Sequence, residues 1–119
     1  MSPLKITTRD AATGPVLEIA GELDFDTASE LRELIPTVAL RPGQRLTLDL
    51  GRMEFCDSSG LSALIAAHHH AHTAQADIAL EAVPANTLRI LRIVGLDQLF
   101  SLGQDGDTGL GTGPEPVNG

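Results

Sequence analysis

Asp57, Ser58, Ser59 and Gly60 stand in a row between a short apolar run (Met53, Phe55, Cys56) and a helical pattern (Leu61, Leu64, Ile65). A chain that leaves a strand, turns once and enters a helix holds the hydroxyl of that turn exposed on rigid supports. The helix N-terminus adds unpaired N–H groups and a partial positive charge. Ser58 is thereby placed to receive a modifying group, with Asp57 beside it to orient the hydroxyl. Gly60 and the small serines leave room for another protein's backbone to come close. The plain structural use of Ser58 is as an N-cap, its oxygen accepting a hydrogen bond from the following turn. The two uses are compatible.

Other chemistries fit less well. A hydrolase nucleophile at a strand-to-helix elbow calls for G-x-S-x-G, and the residues here are Cys56-Asp57-Ser58-Ser59-Gly60. The phosphate-cradling G-x-x-x-x-G-K-[ST] pattern is absent, so the chain is not itself expected to be a kinase. Glu22 and Asp24 form a carboxylate pair with no second catalytic element. They read better as surface charges facing a partner, or, for Asp24, as a loop carboxylate that caps the first helix. His68, His69, His70 and His72 cluster on one stretch, and His68 and His72 have the i, i+4 spacing of a metal-binding pair. No glutamate of the H-E-x-x-H kind accompanies them, so packing, helix C-terminal charge or solvent exposure account for them better. Neither a metal nor a cofactor is expected.

These residues need elements to position them. Leu4 to Thr8 alternates as a strand with Leu4 and Ile6 on one face, Ala12-Thr13-Gly14-Pro15 reads as a turn, and Val16 to Ala20 returns as a second strand. Gly21 to Asp24 is expected to leave the sheet as a loop. Thr27-Ala28-Ser29-Glu30 has capping-box spacing, and Ala28, Leu31, Leu34, Ile35 and Val38 follow at helical intervals, with Pro36 kinking or ending the helix. Leu46, Leu48 and Leu50 alternate as a strand, and Gly51 to Glu54 is expected to connect it to the serine turn. The next helix presents Leu61, Leu64, Ile65 and His68. Ile78, Leu80 and Ala82 mark a further strand, and Pro84 precedes a last helix with Leu88, Ile90, Leu91 and Val94 on a broad apolar face. Gly95 stops that helix, and Gln98 to Leu102 adds a short strand or helical turn. The order β-β-α-β-α-β-α implies a mixed sheet with right-handed crossovers.

The bulk numbers agree. A chain of 119 residues makes one domain with its own core. Hydrophobic residues are 42% and aromatics 3%, so that core is aliphatic. Sixteen acidic and eight basic side chains give a net charge of -8, which argues against a nucleic-acid surface and suits a basic protein partner. Cys56 is the only cysteine and cannot form an internal disulfide, which points to a reducing cytoplasm. No signal-peptide pattern or membrane-length apolar run is present, so no membrane role is expected. Gly103 to Gly119 holds six glycines, two prolines and three acidic residues. The expected organisation is one domain over 1–102 and a disordered tail over 103–119.

Asp57-Ser58-Ser59-Gly60-Leu61 after an apolar run resembles the phosphorylation motif of the anti-anti-sigma factors (anti-sigma factor antagonists), the bacterial STAS-domain family. Gly21-Glu22-Leu23-Asp24 followed by Thr27-Ala28 resembles the family's other signature. Leu88, Leu91, Val94, Gly95 and Leu96 resemble its last helix and the turn after it. The three matches come in the family's order and cover roughly residues 4 to 102. The resemblance implies an α/β STAS-like domain, with a mixed sheet of four to five strands and helices mainly on one face. It carries the phosphorylated position onto Ser58, with Ser59 as the competitor, and sets Glu22, Asp24, Asp57, Ser58, Ser59 and Gly60 at a partner surface. It further implies a non-enzymatic regulator whose unphosphorylated form binds an anti-sigma factor that is also a serine kinase, releasing a sigma factor. A serine phosphatase would reset it. The other readings are a STAS interaction subunit of a transport or stress-sensing assembly, and a small serine-dependent enzyme.

Overall fold

The N-terminal alternation builds a hairpin: β1 (Lys5–Ala11) and β2 (Gly14–Leu23) pair antiparallel around a turn at Ala12 and Thr13. The computed structural model of the chain describes residues 4–103. After the hairpin come α1 (Ala28–Leu34) with a 3-10 turn (Ile35–Thr37), β3 (Arg45–Cys56), α2 (Ser58–Thr73), β4 (Asp77–Glu81), α3 (Ala85–Val94), a second 3-10 turn (Leu96–Leu99) and β5 (Ser101–Gly103). The sheet order is β1-β2-β3-β4-β5, and every pairing after the hairpin is parallel. Each new strand is thus added on the same side of the last. Right-handed crossovers that always step in one direction place their helices on one face of the sheet. The expected α/β architecture, a mixed sheet with helices on one face, is the one observed.

The two faces differ accordingly. Leu17, Ile19 and Leu23 of β2, Leu46, Leu48 and Leu50 of β3, and Ile78 and Leu80 of β4 point toward the helices and are buried. The opposite face carries Lys5, Glu18, Glu22, Asp49, Glu81 and other polar residues in register across the strands. α1 adds Ala28 and Leu31 to the core, the 3-10 turn after it adds Ile35, and α3 adds Leu91.

Five expectations need correction. Gly21 to Leu23 do not leave the sheet but pair with Met53 to Cys56. Gly51 to Glu54 are likewise not a connection, since β3 runs unbroken to Cys56. The register slips between Glu18 and Ala20 and again between Gly21 and Glu22, each time with an extra residue on β3. Two bulges therefore change the buried spacing from two residues (Leu46, Leu48, Leu50) to three (Met53, Cys56), which hides the strand from a period-two reading. In α2 the buried residues are Gly60, Ala63, Leu64, Ala67 and Ala71. The expected face was Leu61, Leu64, Ile65 and His68, and only Leu64 of these is fully buried. Small residues let the helix lie close to the sheet, so size decides the contact face more than hydropathy does. The broad apolar face of α3 is mostly uncovered: Leu91 is buried, while Ile90, Ile93 and Val94 are exposed. Ala82, expected on the buried side of β4, is exposed beyond the strand's end.

Gly95 terminates α3 at φ +80°, as expected for a glycine in the left-handed region. Gln98 to Leu102 proves to be part 3-10 turn and part strand. The tail expected over 103–119 lies, apart from Gly103, outside the described residues. Among the described residues no helix is long and apolar enough to cross a membrane.

Candidate functional site

The parallel pair β2–β3 ends with Leu23 opposite Cys56, and both chains then turn out of the sheet side by side. The β3 exit is the serine turn. Asp57, not Ser58, is the N-cap of α2: its Oδ1 accepts the N–H groups of Ser59 at 2.9 Å and Gly60 at 3.1 Å. A carboxylate reaches both donors and matches the positive helix end, which a serine hydroxyl does less well. Ser58 moves to the first helical position and is exposed, and Ser59 behind it is half-buried. Among the described residues no hydrogen bond involves Ser58 Oγ. The expectation that Asp57 orients this hydroxyl is therefore not met, since its carboxylate is engaged with the helix. The carbonyl of Ser58 accepts Ser62 Oγ–H at 3.1 Å.

Gly60, expected at a partner surface, is buried. A Cβ there would lie 2.6 Å from Leu23 O and 2.7 Å from Cys56 Sγ. The backbone that this glycine admits is the protein's own β2, which fixes how close the start of α2 lies to the two strands. Asp57 N–H also donates to Leu23 O at 3.3 Å. Cys56 itself is buried, and its thiol is pushed up from 9.0 to about 11, first by burial and then by the neighbouring Asp57. It stays a neutral thiol at physiological pH and is no nucleophile there.

The β2 exit is Asp24 to Thr27. Asp24 Oδ1 accepts the N–H groups of Asp26 at 3.0 Å and Thr27 at 3.1 Å, and its carbonyl accepts those of Thr27 at 3.2 Å and Ala28 at 2.8 Å. Thr27 Oγ–H donates to Glu22 O at 2.6 Å and Oγ accepts from Asp24 N at 3.0 Å. Thr27 makes no side-chain cap to α1, so the expected capping box does not form. Its hydroxyl is spent backwards on the strand end, and Asp24 closes the turn instead. Glu22 is exposed and Asp24 half-buried. The structure thus brings Glu22, Asp24, Asp57, Ser58 and Ser59 to one end of two adjacent strands, with Asp57 directly before the exposed Ser58.

Phe25, missed in the sequence reading, is 80% exposed in the same turn. The signal was available: a phenylalanine between Asp24 and Asp26, off the alternation of β2 and short of the first buried residue of α1.

The histidines lie elsewhere. His68 stacks on His72 at 6.0 Å and meets Phe100 edge-on at 6.1 Å, while His70 Nε2 lies 2.8 Å from Val38 O. His68 Nδ1 is buried without a partner, and burial, then His69 and His72, holds its pKa below the usual histidine value. Among the described residues no three His, Cys, Asp or Glu side chains converge on a possible metal position.

Comparison with known proteins agrees with this geometry. The family model described as "Mlab, STAS domain" matches residues 6–103. The anti-sigma-F factor antagonist RsfB of Mycobacterium tuberculosis is 33% identical over 99 residues, covering 83% of this chain and 80% of that protein. The anti-sigma-B factor antagonist of Listeria monocytogenes is 26% identical over 84 residues, covering 71% and 74%. The crystal structure of an anti-sigma factor antagonist from Mycobacterium paratuberculosis superposes with a TM-score of 0.74 at 27% identity, covering 86% of each chain. With its sheet order, its one-sided helices and its serine turn, the chain belongs to the STAS-domain family, among relatives that are anti-sigma factor antagonists.

Proposed function

We propose that this protein is an anti-sigma factor antagonist switched by phosphorylation of Ser58. In its unphosphorylated form it docks through the Ser58 end of the domain onto an anti-sigma factor that is also a serine kinase, and the sigma factor is released. The observation that carries this reading is the exposed Ser58 hydroxyl at the first position of α2, left free because Asp57 takes the capping role. Names of similar proteins support the partner class.

In the switching step Ser58 Oγ attacks the γ-phosphorus of ATP held by the kinase. The Oγ–P bond forms as the bond to the bridging oxygen breaks, ADP leaves, and the hydroxyl proton passes to a base of the kinase. The product brings about 1.5 to 2 negative charges to the turn. The helix N-terminus offers little compensation, because Asp57 already occupies the N–H groups of Ser59 and Gly60. The new charge stands beside Asp57 and toward the partner. A surface fitted to a neutral hydroxyl loses both shape and charge balance, with no rearrangement of the domain required. A serine phosphatase restores the hydroxyl by hydrolysis, releasing inorganic phosphate.

The test is intact-mass measurement after incubation with each anti-sigma factor kinase of the host and ATP, followed by peptide mapping. One added phosphate on Ser58 is the expected result. A stable complex without labelling would instead identify an interface subunit of a larger assembly, and labelling confined to Ser59 would move the switch by one residue.

A further inference from the structure

We propose that Phe25 is the apolar anchor of the partner interface and enters an apolar pocket rimmed by basic groups on the anti-sigma factor that reads Ser58. This rests on the function proposed above and adds the chemistry of the contact. The chain has only three aromatic residues. Phe100 is buried at 6% exposure, whereas Phe25 is 80% exposed.

A single exposed apolar side chain is ordinary on a protein surface. Phe25 differs in how it is held, where it stands and what surrounds it. Its backbone is fixed on both sides by the bonds from Asp26, Thr27 and Ala28 to Asp24. The ring is therefore presented by a closed turn, and binding has little ordering left to do. Phe25 follows Leu23 by two residues, and Ser58 follows Cys56 by two residues, with Leu23 and Cys56 paired. At roughly 3.5 Å per residue and about 4.8 Å between strands, the two Cα atoms are no more than about 19 Å apart. A standard interface of about 800 Å² per partner is roughly 30 Å across, so one footprint covers both. In the chain Phe25 is flanked directly by Asp24 and Asp26, with Glu22 near the end of β2 and Asp57 just past the paired end of β3. An apolar centre inside a charged rim is the layout of an interface hot spot.

The carboxylates also select the occupant. An anionic membrane or a nucleic acid is repelled by them. A second copy sets like charges against each other on a chain of net charge -8. A protein pocket with Lys or Arg at its rim satisfies both the ring and the charges.

The test is titration of the wild type, Phe25→Ala, Phe25→Leu and Asp26→Asn against the anti-sigma factor kinase that labels the wild type, over a range of salt. Phe25→Ala is expected to weaken binding by about 30-fold, the scale of a hot-spot residue, with Phe25→Leu in between. Asp26→Asn is expected to flatten the salt dependence. In the kinase reaction Phe25→Ala raises KM and leaves kcat unchanged, because the ring binds away from the transferring phosphoryl group. Wild-type binding with Phe25→Ala within twofold of it overturns the anchor alone. Failure of the wild type to bind any anti-sigma factor overturns the proposed function and the anchor with it. Phe25→Ala is exposed enough that its melting temperature should match the wild type, which keeps the two outcomes separable.

Discussion

Individual residues at the β2–β3 end do work that their place in the motif does not disclose. Gly60 is the clearest case. Replacing a helical glycine by alanine normally stabilises a helix by about 1 kcal/mol. Here the added methyl meets Leu23 O at 2.6 Å and Cys56 Sγ at 2.7 Å, and a backbone carbonyl cannot step aside cheaply. Gly60→Ala is expected to destabilise by about 1–3 kcal/mol, read as a lower denaturant midpoint with unchanged slope. Cys56 gives a pH signature. Its folded pKa of about 11 lies above the unfolded 9.0, so the unfolded chain loses the proton first as pH rises. Its contribution is intact below pH 9 and is lost between about pH 9 and 11. Denaturant midpoints across that range should fall more steeply for the wild type than for Cys56→Ala, and parallel curves would show that the thiol is not buried as described. Ser58 was legible from its neighbours; the cap was not, because Asp57 and Ser58 are both good capping residues and only the geometry of the two N–H bonds to Asp57 separates them. Phe25 was passed over because an apolar residue in a loop has no period to betray it.

At the scale of elements, sequence reasoning succeeded where a pattern stays regular and failed where a bulge or residue size breaks it. The alternation of Leu46, Leu48 and Leu50 announced β3, but the two bulges near Gly51 and Glu54 carry the strand to Cys56 at a different spacing. The extension matters, because it delivers the serine turn alongside Leu23. Hydropathy placed the buried face of α2 around Leu61 and Ile65, whereas the close contact runs through Ala63, Ala67 and Ala71. Leu64 belongs to both descriptions and is fully buried beneath the helix. Leu64→Ala is expected to cost about 2–5 kcal/mol, since the rigid sheet cannot collapse into the space. Chemical denaturation measures this directly, and a midpoint that barely moves would mean that α2 does not pack on the sheet through this face. The same substitution should weaken partner binding only in proportion to unfolding, because Leu64 faces inward.

For the molecule as a whole, element order implied a mixed sheet with right-handed crossovers, and the family resemblance supplied the helices on one face. A hairpin followed by three strand-helix alternations, stepping one way across the sheet, leaves one face helical and the other polar. Adjacent parallel strands then bring two loops distant in sequence, Asp24–Thr27 and Asp57–Gly60, to one end. The switch proposed for this end is electrostatic: the same fold, with a neutral or a charged Ser58. The most direct measurement of that claim is the pair of affinities of Ser58→Ala and Ser58→Asp for the anti-sigma factor kinase, with a melting curve for each. Ser58→Ala stays small and neutral, so it should bind within about twofold of the wild type and take no label. Ser58→Asp carries less charge than a phosphate but sits beside Asp57, and it should bind at least about tenfold more weakly. Its melting temperature should be unchanged, because position 58 is exposed and Asp57 already caps the helix. Weaker binding without loss of stability places the effect at the interface. Equal affinities for the two variants, or label that persists in Ser58→Ala, would contradict Ser58 as the switch.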